Sequence, residues 1–369
     1  MQKKNIIHVT SSNALSLYLI SIAKLYDKDK YNLIIGCFDE LGPLNEELNK
    51  LHIPNFNIPI TKNYQYLFRF LKLYRLLKKN NTDILHLHTF YPSLFGIFAA
   101  KLAGTKKIVV TRHHADYHII KNKKFHSYLD GWTARHCDVM IAVSEWTKKV
   151  MIDHEHVDEK KINVILNGID PLVTDSTKNK EWLRKEFAVA PDSLILTCVS
   201  RLFPEKNLEV VLHLISKLKK ENKKAALLIC GDGLNTAYHT KLLNICKTEM
   251  IQDHVLFLGF RNDIGDILKN SDAFLHPSLG ESFGFAVLEA MSLGVPIFAS
   301  DIPSVYEIAG KDIAYFFDPI SITDLYNKFT QWANDLEGSK ERIAKGVKRY
   351  HENFTFIKMI AKYEEVYGS

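Results

Sequence analysis

The amino-acid sequence predicts an α/β protein with two doubly wound domains, one in each half of the chain, facing each other across a cleft. Three observations favour this fold class. Short apolar segments alternate with helical segments throughout both halves, which is typical of parallel sheets joined by helical crossovers. The turn-like sequence Asn-Gly-Ile-Asp-Pro at 167–171 separates the halves. With 369 residues and 46% apolar content, the chain can bury two cores of ordinary size.

The first half is predicted to open with a β–α unit and to keep the same alternation as far as residue 166. Its strands are predicted at 5–10, 32–37, 55–60, 84–88, 107–111, 139–143 and 162–166. Its helices are predicted at 14–25, 43–51, 64–79, 94–102, 125–135 and from 145 onward. Helices between consecutive strands indicate that the sheet is parallel.

The second half repeats the pattern. Its strands are predicted at 194–200, 225–230, 255–258, 273–276 and 295–299. Its helices are predicted at 208–218, 236–247, before Gly294, and at 323–334, 340–350 and 356–367. This half is therefore a second parallel sheet, followed by a helical C-terminal segment.

A polar stretch after strand 273–276 indicates a ligand site. The chain breaks at Pro277 and Gly280 and restarts as a helix, with Glu281 before that helix and Glu289 inside it. Helical side chains lean toward the N-terminus, so Glu289 is expected to point back toward Glu281. Two carboxylates and free N–H groups at a helix start can hold a ligand that has hydroxyls and phosphate. The alternative is two unrelated surface glutamates.

Two cations are predicted at the same edge of the second sheet. Arg201 follows strand 194–200, and Lys206 comes five residues later. Ligands of open α/β sheets bind beyond the carboxyl ends of the strands. Gly231 and Gly233 follow strand 225–230 at this edge, where glycine permits a ligand to approach the backbone closely.

The sequence Glu-Ser-Phe-Gly-Phe-Ala-Val-Leu-Glu-Ala-Met-Ser-Leu-Gly-Val-Pro at 281–296 resembles the donor-site signature of retaining glycosyltransferases with the GT-B fold, in particular the family-four group (glycosyl transferases group 1). The resemblance implies that both domains are Rossmann-like. It also implies that Glu281 contacts the hydroxyls of a donor sugar, that Glu289 holds the ribose, and that Arg201 and Lys206 bind the diphosphate. The other donor-binding residues that it implies are Gly231, Gly233, Phe260, Arg261, Ser282, Phe283, Gly284 and Phe285.

The resemblance also extends to the first half. Thr111-Arg112-His113 resembles a Thr-x-His segment whose histidine faces the donor sugar, with His114 as a second candidate. Relatives have a glycine-rich loop after the first strand. Here Ser12 and Asn13 replace it, and they are expected to offer a hydroxyl and an amide to the donor at the start of the next helix. His86 and His88 resemble an architectural strand and are placed outside the site.

The resemblance assigns a role to each part of the chain. Residues 1–170 are expected to form the acceptor-side domain, and residues 171–350 the domain that binds the nucleotide sugar. Residues 351–369 are expected to form a helix that returns to the first domain, as in GT-B relatives.

The charge distribution indicates an anionic partner for the first half. Residues 1–171 contain 24 Lys/Arg and 16 Asp/Glu, a balance of +8, which leaves −2 for the remainder of a chain with net charge +6. Segment 62–79 contains basic and apolar residues but no acidic ones. It is a candidate for peripheral contact with an anionic membrane, where lipid-linked acceptors reside. The alternative is a helix packed on the sheet with solvated lysines. No nucleic-acid partner is expected.

The remaining features bear on location and metal use. Five scattered cysteines without a Cys-x-x-Cys pair indicate buried thiols in a reducing compartment. No segment has the length of a signal core or a membrane span. A cytoplasmic protein is expected, with the inner face of the membrane as a place where it can act. Neither Asp27-Lys28-Asp29 nor the segment 153–156 has the spacing of a metal site.

The function that the resemblance implies is transfer of a hexose from a nucleotide-diphosphate sugar to an acceptor hydroxyl, with retention of configuration. The product would belong to a surface polysaccharide, a lipopolysaccharide or a glycolipid. No cofactor or metal is expected, and a UDP-sugar is favoured over a GDP-sugar as donor. Two alternatives remain open. A nucleotide-sugar 2-epimerase would need further acid–base carboxylates, and a non-catalytic GT-B partner subunit would not need the donor-site charges.

Overall fold

The computed structural model describes residues 2–60, 65–115 and 123–368, except for the side chains of 66–68. The chain divides into two compact units. Unit 1 consists of Met1–Gly168 together with Thr355–Ser369, and unit 2 consists of Ile169–Phe354. Each unit contains one parallel sheet covered by helices, which confirms the predicted fold class of two Rossmann-like domains.

Unit 1 is built on a seven-stranded sheet with strand order β3-β2-β1-β4-β5-β6-β7. The strands are β1 (Lys4–Thr10), β2 (Tyr31–Cys37), β3 (Asn55–Asn57), β4 (Ile84–Leu87), β5 (Lys107–Arg112), β6 (Val139–Ala142) and β7 (Ile162–Val164). The helices are α1 (Leu17–Leu25), α2 (Pro43–Lys50), α3 (Tyr66–Lys79), α4 (Phe90–Ala103), α5 (Lys124–His136) and α6 (Glu145–Glu155). The strand order reverses between β1 and β4, which makes the carboxyl ends of these strands the expected ligand edge.

Unit 2 is built on a six-stranded sheet with strand order β10-β9-β8-β11-β12-β13. The strands are β8 (Leu194–Val199), β9 (Ala225–Cys230), β10 (Val255–Gly259), β11 (Ala273–His276), β12 (Ile297–Ser300) and β13 (Tyr315–Phe317). The helices are α7 (Lys180–Glu186), α8 (Leu208–Lys220), α9 (Ala237–Thr248), α10 (Ile264–Lys269), α11 (Phe285–Leu293), α12 (Pro303–Ala309), α13 (Ile322–Asn334) and α14 (Leu336–Asn353). Here the order reverses between β8 and β11.

The last helix, α15 (Phe356–Gly368), belongs to unit 1. It buries one face against the first sheet through Phe356, Met359, Ile360, Tyr363, Val366 and Tyr367. Two lysines fasten its C-terminal end: Lys4 Nζ donates to the Tyr367 carbonyl at 2.8 Å, and Lys107 Nζ donates to the Val366 carbonyl at 2.7 Å. Positive charge at a helix C-terminus is stabilising. The predicted return of the terminal helix to the first domain is therefore confirmed.

Several boundaries differ from the sequence-based predictions. Helix α1 begins at Leu17 rather than at residue 14, because Ser16 is the cap and its Oγ accepts from the Leu19 N–H at 3.3 Å. Strand β3 ends at Asn57, since Pro59 has no N–H for a strand ladder. Helices α7, α10 and α12 and strand β13 were not predicted. All five cysteines are buried and free.

Across the described ranges, no helix is both long enough and apolar enough to cross a membrane. Residues 62–64, at the start of the predicted basic segment, lie outside the described residues.

Candidate functional site

Two loops of unit 2, which follow β8 and β11, lie next to each other at the point where the strand order reverses. The loop after β8 runs through Arg201 into a short 3-10 turn, Pro204–Lys206. The Leu279 N–H in the second loop donates to the Glu205 carbonyl at 2.9 Å. Asn207, with φ of +49°, donates through Nδ2 to the Pro277 carbonyl at 3.2 Å. These bonds fix Lys206 against the segment that carries Glu281.

The side chains of Lys206 and Glu281 are in direct contact. Lys206 Nζ donates to Glu281 Oε1, and Ser278 Oγ donates to the same oxygen at 3.0 Å. The Nε2 atom of His276 lies 3.3 Å from this oxygen, although the contact lacks normal hydrogen-bond geometry. Lys206 and Glu281 are only 18% and 16% exposed.

The pKa of Glu281 reflects these contacts. Burial alone would raise it, but the contacts with His276 and Lys206 outweigh burial and lower the pKa from 4.5 to about 2. Glu281 is therefore a fixed negative charge next to a fixed positive one at neutral pH. His276 and Ser278 were not predicted as part of this cluster. The feature of the sequence that could have indicated a role for His276 is its position as a polar residue at the end of an otherwise apolar strand.

Glu289 lies in the second turn of α11 and has a different environment. It is half-buried, and its carboxylate has no ion pair or hydrogen bond with any described residue. Burial raises its pKa from 4.5 to about 7. The helix begins after Gly284, with φ of +106°, and has neither a side-chain cap nor an acidic residue in its first turn. The N–H groups of Phe285 and Ala286 are thus available to an anion, whereas those of Val287 and Leu288 donate to the Gly284 carbonyl.

Arg201 is exposed beside this cluster. Its guanidinium carbon lies 5.1 Å from the centre of the Phe203 ring. No carboxylate pairs with it in the part of the chain that the structure describes. An unpaired guanidinium at the carboxyl edge of a sheet can bind an anionic ligand.

Gly231 and Gly233 are required by the close approach of their loop to the Arg201 loop. Their φ angles are +146° and +115°. A Cβ on Gly231 would lie 2.0 Å from the Ser200 carbonyl oxygen, and one on Gly233 would lie 2.8 Å from Leu202 Cβ. The Leu202 N–H donates to the Asp232 carbonyl at 2.7 Å. Both glycines therefore help to build the edge on which Arg201 lies.

The other predicted donor-binding residues of unit 2 have varied environments. Phe260 is 68% exposed. Arg261 donates two hydrogen bonds to Asp263, of 2.8 and 2.7 Å, so its guanidinium group already has a carboxylate partner. Phe283 is buried and packs against Phe285, with 5.2 Å between ring centres. The roles of these residues and of Ser282 in donor binding stay predictions.

His113 follows β5 in unit 1 and is half-buried. Its Nε2 lies 3.3 Å from His88 Nδ1, and the edge of the Tyr18 ring packs on it with 5.1 Å between ring centres. Burial lowers the pKa of His113 to about 4, so the ring is neutral at neutral pH. The neighbouring His114 contacts the buried Asp130 carboxylate at 3.0 Å instead.

Ser12 and Asn13 do not lie at the start of a helix, which corrects the prediction. Ser12 is exposed, and its Oγ accepts from the Ala14 N–H at 3.1 Å. Asn13 fastens the neighbouring loop, since its Nδ2 donates to the Glu40 carbonyl at 3.1 Å. The physical reason is that Ser16 caps α1 in their place. Their contact with a donor stays a prediction.

The two acidic segments, 27–29 and 153–156, each contain a carboxylate that is engaged in an ion pair. Asp27 pairs with Lys30 at 2.9 Å. Glu155 pairs with the buried Arg112 at 2.5 Å. A third group, His8, His86 and His88, is buried, and its ligand atoms lie within 4.8 Å of one another. The sequence did not single out His8.

Comparisons with known proteins place these observations in context. Residues 179–349 match the family described as Glycosyl transferases group 1, and residues 15–171 match Glycosyltransferase Family 4. The chain is 32% identical over 296 residues to the UDP-Gal:alpha-D-GlcNAc-diphosphoundecaprenol alpha-1,3-galactosyltransferase of Escherichia coli, covering 76% of this chain and 74% of that protein. It is 28% identical over 332 residues to the N-acetyl-alpha-D-glucosaminyl L-malate synthase of Bacillus anthracis, covering 87% and 85%.

A solved structure of Anabaena HepE in complex with UDP and glucose superposes with a TM-score of 0.87. The superposition covers 99% of both chains at 21% identity, and it is therefore a likeness of fold.

Proposed function

Since the chain belongs to the group 1 glycosyltransferases and has the GT-B fold, we propose that it transfers a hexose from a nucleotide-diphosphate sugar to an acceptor hydroxyl with retention of configuration. The observation that carries this proposal is the cluster at the carboxyl edge of the second sheet. Lys206 and Glu281 are in contact there, and Arg201 has no carboxylate partner among the described residues. A sugar diphosphate needs cations for its phosphates and acceptor oxygens for its hydroxyls, and this edge supplies both.

The two cations act on the charge that develops during the reaction. When the bond between the sugar and the diphosphate breaks, negative charge accumulates on the departing phosphate oxygens. One cation at about 4 Å contributes on the order of 4 kcal/mol at an effective dielectric constant near 20, before desolvation is subtracted. Because this charge is largest in the transition state, Arg201 and Lys206 raise kcat more than donor affinity.

The two carboxylates orient the neutral parts of the donor. Glu281 is ionised at neutral pH, because its pKa is about 2, and it accepts hydrogen bonds from sugar hydroxyls. Glu289 has no partner among the described residues and accepts from the ribose hydroxyls. In this proposal the acceptor hydroxyl attacks from the face that the diphosphate leaves, and its proton passes to an oxygen of the departing diphosphate, so no enzyme nucleophile is needed. The reaction uses no metal and no further cofactor.

A UDP-sugar is the proposed donor. The name of the E. coli relative specifies UDP-Gal, and the structurally similar HepE was solved with UDP-glucose. The same relative acts on a sugar carried by diphosphoundecaprenol. We therefore propose a lipid-linked saccharide as acceptor, at the inner face of the membrane, in the synthesis of a cell-surface glycan.

Helix α3 of unit 1 supports the membrane location. Its buried residues Leu73 and Leu77 pack in the core of the unit. Among the side chains that the structure describes in this helix, the exposed ones are Arg69, Leu71, Lys72, Arg75, Lys78 and Lys79, so this face is strongly basic. A basic helix face is attracted to anionic lipid headgroups by about 1 kcal/mol per Lys or Arg close to the surface.

The transferase proposal is tested with single variants and a panel of UDP-, GDP-, ADP- and CDP-sugars. We expect Arg201→Ala and Lys206→Ala each to lower kcat about 10²–10³-fold, the range for a lost transition-state donor. The control is Lys241→Ala, which removes an exposed lysine that pairs with Glu209 outside the site. Near-normal kcat in both site variants contradicts the diphosphate assignment. An isomerised sugar without any acceptor favours the epimerase alternative.

The membrane proposal is tested by sedimentation with vesicles that contain anionic lipid, at low salt. Lys78→Glu/Lys79→Glu reverses two charges at the end of α3, and we expect it to weaken binding. The matched control, Lys219→Glu/Lys220→Glu, reverses two exposed lysines at the end of α8 in unit 2. Equal binding by both double variants, or no binding by the unmodified protein, rejects this contact.

A further inference from the structure

A continuous chain of hydrogen bonds runs through the core of unit 1 from β5 to His113. It passes through three buried histidines and the hydroxyl of Tyr367 on α15. Its contacts are Thr111 Oγ1 to His86 Nε2 (2.7 Å), His86 Nδ1 to the Tyr367 hydroxyl (2.5 Å), the Tyr367 hydroxyl to His8 Nε2 (3.3 Å), His8 Nδ1 to His88 Nε2 (2.9 Å) and His88 Nδ1 to His113 Nε2 (3.3 Å). Every histidine inside the chain uses both of its ring nitrogens.

The histidines of this chain are neutral at neutral pH. Burial lowers the pKa of His8 to about 3 and that of His113 to about 4. Burial and then the neighbouring histidines lower the pKa of His86 and His88 well below 6.5. A neutral imidazole has one N–H donor and one nitrogen acceptor. Each ring must therefore donate at one side and accept at the other, so the ring protons of His8, His88 and His113 all point in the same direction. The Tyr367 hydroxyl can donate to one neighbour or accept from both.

The Tyr367 hydroxyl indicates which direction is favoured. Hydrogen bonds donated by O–H are shorter than those donated by N–H. The hydroxyl lies 2.5 Å from His86 and 3.3 Å from His8, so it donates to His86 and accepts from His8 Nε2–H. His8 Nδ1 then accepts from His88 Nε2–H. His88 Nδ1 in turn accepts from His113 Nε2–H.

We propose that Tyr367, His8 and His88 are positioning residues for His113, because this chain fixes its ring in the tautomer with the proton on Nε2. The other ring nitrogen, Nδ1, then presents a lone pair to a ligand. It has no hydrogen-bond partner among the residues that the structure describes. The inference rests on the proposed function in one respect: the hydroxyl that donates to Nδ1 is taken to belong to a sugar substrate of the transferase.

The arrangement does not suit a metal ion, although the three buried histidines lie close together. A metal ligand offers its in-plane lone pair to the ion. In this chain, one in-plane nitrogen of His8 faces His88 and the other faces Tyr367. The ring planes of His8 and His88 are nearly parallel, at 17°, with 5.1 Å between their centres, as expected for two rings that share a hydrogen bond edge to edge.

The chain of hydrogen bonds is tested by NMR on the full-length protein labelled with ¹⁵N-histidine. The variant His113→Asn serves only to assign the signal of His113. Long-range ¹H–¹⁵N correlations distinguish a protonated from an unprotonated ring nitrogen. We expect His8, His88 and His113 all to carry the proton on Nε2. In Tyr367→Phe, His8 loses its acceptor, and we expect His113 to lose its single tautomer. The matched control is Tyr31→Phe, since Tyr31 lies in the same core with its ring 6.0 Å from Tyr367 but is not part of the chain.

Activity provides the second readout. With a donor that the unmodified protein uses, we expect Tyr367→Phe to lower kcat/KM about tenfold, as for one lost hydrogen bond, and Tyr31→Phe to leave it within about twofold. The proposal is overturned if His113 carries its proton on Nδ1, if its tautomer is the same in Tyr367→Phe as in the unmodified protein, or if the purified protein holds stoichiometric zinc at these histidines. If no donor is turned over, the proposed function fails, while the NMR result still decides whether the chain exists.

Discussion

Replacing Glu289 with glutamine should stabilise the ligand-free protein above pH 7. Burial raises the pKa of Glu289 from 4.5 to about 7, so the folded state keeps a proton that the unfolded chain has already lost. Between these pH values the unfolded state binds fewer protons, and the free energy of unfolding falls as the pH rises. Above about pH 7 both states are ionised, and the full penalty for the buried charge is present.

The size of the effect follows from the pKa. The difference between 4.5 and about 7 is 2.5, which at about 1.4 kcal/mol per pH unit amounts to about 3 kcal/mol. Because Glu289 is half-buried, water screens part of this penalty, and we expect about 1–3 kcal/mol. One kcal/mol changes the melting temperature by about 2–4 °C in a unit of this size. Glu289→Gln should therefore melt about 2–12 °C above the unmodified protein at pH 8, with a smaller difference at pH 5.

The matched control is Glu281→Gln, because the pKa of this carboxyl is lowered to about 2. A lowered pKa stabilises the folded state at every pH above 4.5, and that stability is lost only as the pH falls toward 2. Glu281→Gln should therefore melt lower by the same amount at pH 5 and pH 8. The reasoning is refuted if Glu289→Gln melts no higher than the unmodified protein at pH 8, or if its difference is the same at both pH values.

Three further substitutions test local packing in the two units by urea unfolding. Gly231→Ala should cost more than about 2 kcal/mol, since φ is +146° and the new Cβ would lie 2.0 Å from the Ser200 carbonyl oxygen. Gly104→Ala should cost only about 1 kcal/mol, because φ is +73° and nothing lies within 4 Å of the Cβ position; equal costs would contradict the steric argument. Arg112→Met should cost about 3–5 kcal/mol by removing the buried guanidinium that pairs with the buried Glu155 and Asp130 carboxylates, and a cost below about 1 kcal/mol would contradict this reasoning.

Most of the fold could be predicted because buried parallel strands are short apolar runs, such as Ile84–Leu87 in β4. The elements that were missed lack a comparable pattern. Helix α7 (Lys180–Glu186) is short and mostly charged, and Leu183 is its one fully buried apolar residue. Helix α12 begins with Pro303. A proline usually indicates the end of a helix or strand, although it is also common as the first residue of a helix. Strand β13 has three residues, too few for any periodicity.

Part of the site could also be predicted, because the strands themselves were recognised in the sequence. Lys206 and Glu281 each follow a strand, and parallel strands share one carboxyl edge, so their contact follows from topology. The contact of His276 with Glu281 could not be predicted, because a histidine at the end of an apolar strand also suits a plain core position. The contact of Tyr367 with His8 could not be predicted either. These residues are 359 positions apart, and no local pattern links positions so distant in sequence.

Helix α15 has a consequence for synthesis on the ribosome. About 200 residues lie between Gly168 and the end of this helix, and at 5–20 residues per second they take roughly 10–40 s to translate. Throughout that interval the nascent first domain exposes the apolar surface that Met359 and Tyr363 later cover. Unit 2 is continuous in sequence and can close first, so the domain made first is the last to be completed. Its need for chaperones should therefore be greatest while translation is still under way.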